Sequence, residues 1–269
     1  MTAMDVYHRG DQKVAECGSI DLEQHISRLI DKVYYTGKIS IVGRQPHAPM
    51  NHISPNQGRL LRDLVVQSKA RRTLEIGMGT GLSGLHICWG LIRNGGGRHL
   101  AIDPFQKSEY WQGMGLGLRD QAGCTSMFDW TDERDDQALP RLLLERQSFE
   151  LALIDGDHRF ESAFLNFYYI DRMLSIDGVC VFDDTDWPSV WRIVCFAQKY
   201  HDYEWLDALP IHLGPWYKPW GWRLRAKRLR TFKSNRWPLR EALLRRPYSM
   251  IALRKKSNNI KPEAFWIGV

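Results

Sequence analysis

At 269 residues and 43% apolar content, the chain is long enough for one medium-sized α/β domain with attachments and can bury a substantial core. The opening MTAMDVYHRGDQK has no basic cluster leading into an apolar run, and no stretch approaches the ~18 apolar residues of a bilayer span, which predicts a soluble, cytoplasmic protein without a transmembrane segment. Five widely spaced cysteines (Cys17, Cys88, Cys124, Cys180, Cys195) with no CxxC pair argue against a disulfide framework or a zinc site. The net charge of +6 is local: residues 218–246 carry 11 Lys+Arg and one acid, leaving 26 Lys+Arg against 30 Asp+Glu elsewhere.

In chain order, the first 55 or so residues read as a helical or irregular cap. SPNQGRLLRDLVVQS (54–68) reads as a helix, started by Ser54 and Pro55. From residue 72, short β-rich runs alternate with helical patterns, the signature of a parallel sheet with crossover helices. Strands are predicted at 72–77, 98–104, 125–130, 149–155 and 178–184, with further ones near 203–213 and 248–254. Helices are predicted between them at 81–93, 108–122, 135–146 (where Pro140 leaves the boundary open), 158–174 and from Pro188. Residues 56–269 then form one domain, interrupted at about 214–247 by a basic insert containing Trp216, Trp220, Trp222 and Trp237. That insert suits several roles: an RNA grip, a lid over a substrate, a dimer or membrane-surface contact, or an amphipathic helical pair with a solvated basic face.

LEIGMGTG puts Glu75, Gly77, Gly79 and Gly81 at the turn from the first strand into a helix. Glycines there allow a tight turn and let a ligand reach main-chain N–H groups and the helix N-terminus. A dinucleotide fingerprint would need glycine at Leu82. The spacing E-x-G-x-G-x-G resembles instead motif I of the class I S-adenosylmethionine-dependent methyltransferases. That resemblance implies a Rossmann-like α/β open sheet, mostly parallel with an antiparallel last strand and helices on both faces. It also implies S-adenosylmethionine as cofactor, held by Glu75, Gly77, Gly79, Gly81, Ser83 and Asp155. Asp103, ending the second strand, would accept from the ribose hydroxyls, and Asp129 and Trp130 after the third strand would hold the adenine. An ordinary Asp-Pro turn at Asp103 and a core tryptophan at 130 are the plain alternatives.

LALIDGDHRF (151–160) and VCVFDDTDW (179–187) each run an apolar strand into acids. Ligands of open parallel sheets collect beyond the carboxyl ends of the strands, so Asp155, Asp183 and Asp184 should converge there. Three carboxylates in one partly dehydrated place repel unless protonated or neutralised, and a divalent cation such as Mg²⁺ is the economical resolution. The pattern resembles the metal-dependent O-methyltransferases of the catechol and caffeoyl-coenzyme A type and, more closely, the bacterial enzymes that methylate macrolide sugars. This resemblance puts Asp155, Asp183 and Asp184 on metal positions and His158 on that of a general base. It also implies a small hydroxylated acceptor, a sugar or glycosylated natural product first, ahead of nucleic acid, with a homo-oligomer as a further possibility. Asp184 departs from the asparagine of the catechol type. Asp157 also reads as a helix cap and His158 as an incidental first-turn residue. Asp186 reads as part of the loop or cap before Pro188, and Glu161 as a solvated acid.

Overall fold

The computed structural model describes residues 16–41, 46–48, 52–210 and 248–261, so the basic insert lies outside the described residues. Helices α1 (Glu16–Thr36) and α2 (Pro55–Gln67) precede an alternation of strands and helices: β1 (Arg72–Ile76), α3 (Leu82–Arg93), β2 (Arg98–Ile102), α4 (Met114–Gln121), β3 (Phe128–Thr131), α5 (Asp135–Leu144), β4 (Phe149–Ile154), α6 (Phe160–Met173), β5 (Leu174–Phe182) and α7 (Pro188–Tyr200). Strands β6 (His201–Pro210) and β7 (Tyr248–Ile260) complete a seven-stranded sheet of order β3-β2-β1-β4-β5-β7-β6. Strands β1 to β5 are parallel, and β7, last in the chain, runs antiparallel between β5 and β6. The expected architecture is therefore present, with the order of strands reversing between β1 and β4.

Alternation along the strands divides the core between the two faces. Leu151, Leu153, Val179, Val181, Met250 and Ala252 pack with α1, α2 and α3 on one side. Ala152, Ile154, Cys180, Phe182, Ile251 and Leu253 pack with α5, α6 and α7 on the other. Helix α2 starts as expected at a capping box, in which Ser54 accepts from the Gln57 N–H and the Gln57 side chain accepts from the Ser54 N–H. Among the described residues no helix is long and apolar enough to cross a membrane.

Several boundaries differ from the expected ones. β3 begins at Phe128 instead of 125, because the N–H groups of Met127 and Phe128 both close a turn on the Cys124 carbonyl. α4 begins at Met114 instead of 108, since Gln112 and Gly113 hold positive φ of 48° and 71°, which a helix does not accommodate. α5 runs through Pro140 despite the missing N–H, with Ala138, Leu139 and Leu142 buried against the sheet.

One buried charge cluster ties β6 and β7 to α6. Lys255 is 1% exposed and donates to the main-chain carbonyls of Asp171 and Leu174, with its Nζ 3.6 Å from Asp171 Oδ1. Tyr203 OH donates to the same oxygen at 3.0 Å, and His201 Nδ1 lies 3.2 Å from Asp171 Oδ2. Burial pushes the Asp171 carboxyl upward, but His201, Lys255 and Tyr203 outweigh it and hold the group below the usual carboxylate range. Its contribution is thus present at neutral pH and lost as acid protonates it. Asp171→Ala leaves Lys255 buried without its counter-charge, and urea unfolding near neutral pH should show a loss of about 3–5 kcal/mol.

Candidate active site

Sheet register decides what meets at the carboxyl edge. Ile102, Ile76, Ile154 and Phe182 lie level on β2, β1, β4 and β5. The ladder then continues one residue further on each strand: Gly77 N–H donates to the Ile102 carbonyl, Asp155 to Ile76 and Asp183 to Ile154. Asp103, Gly77, Asp155 and Asp183 therefore form one row, a strand spacing of about 4.8 Å apart. Gly77 breaks the run of acids at the reversal of strand order, the usual ligand crevice of such sheets. Its φ is +90°, and a Cβ there would stand 2.2 Å from the Asp155 carbonyl oxygen, so only glycine fits.

On the β1–β3 side, Gly79 and Gly81 also hold positive φ, of 48° and 81°. Asp103 is 4% exposed; its Oδ2 accepts from the N–H groups of Met78 and Gly79 at 3.1 and 2.9 Å and from Gln106 Nε2 at 3.0 Å. Among the described residues Oδ1 accepts only from the Phe105 N–H, at 2.7 Å, and keeps acceptor capacity for a hydroxyl. Trp130 Nε1 donates to the Asp103 carbonyl at 2.8 Å, and the Lys107 ammonium stands 5.5 Å from the Trp130 ring centre. The Trp111 ring lies against Gly79, 3.4 Å from where a Cβ would be. Gly77, Gly79, Gly81, Asp103 and Trp130 thus share one neighbourhood that could take a nucleoside.

Three expected cofactor residues are oriented elsewhere. Glu75 is fully buried, one oxygen accepting from Ser83 Oγ and the other 2.9 Å from His99 Nε2, so Glu75 and Ser83 brace the turn from inside. Asp129 falls within β3 rather than beyond it, and its Oδ2 accepts from Arg98 at 2.8 Å, toward the amino end of the sheet. The ladder of β3 runs on to Thr131, one residue past the expected end, so Asp129 stays inside the strand.

On the β4–β5 side, Asp155, His158 and Asp184 each present a ligand atom within 4.8 Å of the others. Asp183 lies outside this grouping, and its Oδ1 accepts from Gln57 Nε2 at 2.6 Å. His158 Nε2 lies 2.6 Å from Asp184 Oδ2 in an ion-pair contact, and this buried nitrogen has no hydrogen-bond partner among the described residues. Asp184 sits in the left-handed region at φ 48°, a conformation uncommon for a non-glycine residue. Burial, then the charges of Asp183 and Asp184, push the Asp155 carboxyl well above the usual range. Asp183 is pushed up to about 7 by burial and by Asp184. The Asp184 carboxylate also raises His158 against the opposing effect of burial. Crowded oxygens and an orphaned imidazole nitrogen around one point fit a divalent cation. Trp187 stacks on His158 with ring centres 5.2 Å apart. Asp157 accepts from the Arg159 N–H at 3.1 Å in the turn ahead of α6, but the N-cap is Arg159, without a side-chain cap bond, so Asp157 is not the cap expected of it.

Pattern reading missed Gln57, Trp111 and Gln106. Gln57 carried a visible signal, the S-x-x-Q capping box, which says nothing of a second bond to Asp183. Trp111 and Gln106 come near the glycine turn only through the irregular stretch before α4.

Residues 74–185 match the family of methyltransferase domains. A putative caffeoyl-CoA O-methyltransferase of Arabidopsis thaliana is 30% identical over 133 residues, 49% of this chain and 54% of that protein. A probable caffeoyl-CoA O-methyltransferase of the same plant is 28% identical over 152 residues, 55% of this chain and 62% of that protein. The chain therefore matches little more than half the length of these relatives. Among solved structures, the O-methyltransferase from Bacillus cereus in complex with S-adenosylhomocysteine has the same fold, with a TM-score of 0.57, 18% identity, and 94% of this chain and 98% of that one covered. The O-methyltransferase of Streptomyces achromogenes involved in tomaymycin synthesis, solved with S-adenosylmethionine, covers 95% and 96% at 17% identity and the same TM-score. In its glycine turn, its strand order and residues 74–185, the chain is similar to the class I S-adenosylmethionine-dependent methyltransferases.

Proposed function

We propose that the protein is a cation-assisted O-methyltransferase acting on a hydroxyl of a small molecule, with a sugar or glycosylated natural product as the first acceptor class. The observation that carries this reading is the convergence of Asp155, His158 and Asp184 beside the glycine turn. The names of the plant relatives make phenolic acceptors the natural comparison in an assay.

Gly77, Gly79 and Gly81 let the nucleoside come close to the main chain, Asp103 accepts from its ribose through Oδ1, and Trp130 packs on the base. S-adenosylmethionine supplies a methyl group already activated on a sulfonium, for in-line displacement by a hydroxyl oxygen. Asp155 and Asp184 hold the cation, and Asp183, tethered by Gln57, adds negative charge behind them. The cation supplies positive charge that offsets the carboxylates and favours ionisation of a nearby hydroxyl. His158 takes the hydroxyl proton at Nε2, with its ring held by Trp187. The exposed face of Trp187 offers a flat apolar surface to the acceptor ring, whether sugar or phenol. Holding the acceptor at near-attack distance from the methyl can supply up to about 7–11 kcal/mol, whereas a general base contributes about 10²–10⁴-fold.

Methyl-transfer assays with sugar and catechol-type acceptors should show turnover that chelation abolishes and Mg²⁺ or Mn²⁺ restores; chelator-resistant turnover contradicts the reading. His158→Ala should lower kcat by about 10²–10⁴-fold while keeping cation affinity, and Asp155→Ala should lose both. Because Asp155 and Asp183 are raised in the fold, the folded state binds more protons than the unfolded one. Stability of the cation-free protein should therefore fall as pH rises from about 4 to about 7. Added cation should raise Tm more at the upper end of that range than at the lower. Thermal melts across pH, with Asp183→Asn flattening the slope, check this.

A further inference from the structure

Asn166 on α6 is 0% exposed, and neither its Oδ1 nor its Nδ2 has a hydrogen-bond partner among the described residues. Its companions on that face of the helix, Ala163, Phe167 and Ile170, are apolar and buried in the core cluster. Packing alone would be served there by another apolar side chain, and an amide with both groups unpaired is costly to bury. Directly over it passes the loop that joins β4 to α6. A Cβ on Gly156 would stand 3.7 Å from Asn166 Nδ2 and 3.0 Å from Ile76 Cγ2, so the main chain at 156 is pressed between β1 and this amide. The residues on either side, Asp155 and His158, supply two of the three converging ligand atoms. An asparagine amide, with two donor hydrogens and an acceptor oxygen, matches the peptide groups of such a loop.

We propose that Asn166 is a positioning residue whose amide bonds the main chain of residues 155–158 when a divalent cation draws Asp155 and Asp184 together. Cation affinity then depends on a side chain that touches neither the cation nor the nucleoside. This rests on the cation-assisted reading of the site. The unpaired amide belongs to the cation-free state, and loading the site gives it partners, much as outer-layer hydrogen bonds orient ligands at other metal centres.

The test is calorimetric titration with Mn²⁺ at saturating S-adenosylhomocysteine on wild type, Asn166→Ala and Asn166→Leu, beside thermal melts of the unliganded proteins. Asn166→Leu should melt at or above the wild-type temperature without cation, because it removes an unpaired amide. Both variants should bind Mn²⁺ about 10–100-fold more weakly. Wild-type affinity in a folded variant overturns the inference and leaves the cation reading intact, whereas a wild type that binds no Mn²⁺ overturns both. Should neither variant fold, hydrogen exchange on the wild type decides: the amides of residues 156–158 should slow on adding Mn²⁺, and unchanged exchange overturns the inference.

Discussion

Carboxylates set side by side along the edge of a parallel sheet repel one another, and the carboxyl end of this fold is organised around that repulsion. At strand spacing, two full charges at an effective dielectric constant of 20 cost about 3–4 kcal/mol. A domain of this kind has only about 5–15 kcal/mol of total stability, so such a row is tolerated only if something offsets it. The molecule uses different means along the row. Asp103 is offset by main-chain N–H groups of the glycine turn and by Gln106. Gly77 contributes no charge at all, and Asp183 is tethered to Gln57. Among the described residues Asp155 and Asp184 have no comparable relief apart from the His158 imidazole beside Asp184. The remaining imbalance falls where a cation and a methyl acceptor would meet.

The glycine turn and the acid pair are linked through the same few backbone positions. Gly77 must lack a side chain because the Asp155 carbonyl stands where a Cβ would be, so the glycine turn and the loop that carries the acid are packed against each other. Glu75, buried with Ser83 and His99, fixes the turn from below. A change at either place is therefore felt at the other. Far from this edge, the cluster of Asp171, His201, Tyr203 and Lys255 secures the antiparallel strand β7 to α6, and β7 in turn pairs with β5, the strand that ends in Asp183.

Much of this was legible in the chain itself. The period-2 strands, the glycine spacing and the two apolar runs ending in acids each have a direct physical reading, and together they imply the sheet and the convergence of Asp155 with Asp184. What the pattern could not supply was register and side-chain direction. Asp183 and Asp184 are adjacent in sequence, yet the positive φ of Asp184 turns one toward His158 while Gln57 draws the other away. Asp129 faces Arg98 at the amino end of the sheet, a direction the strand pattern did not reveal. Asn166 and Trp111 are invisible to periodicity, since one sits on an otherwise apolar helical face and the other in an irregular stretch.

The most direct test is anomalous diffraction from crystals grown with Mn²⁺ and S-adenosylhomocysteine. The account predicts a single strong peak at the carboxyl edge, within bonding distance of Asp155 and Asp184 and next to the nucleoside on the glycine turn. A nucleoside bound there with Asp155 and Asp184 paired to protein cations, and no manganese between them, would contradict it.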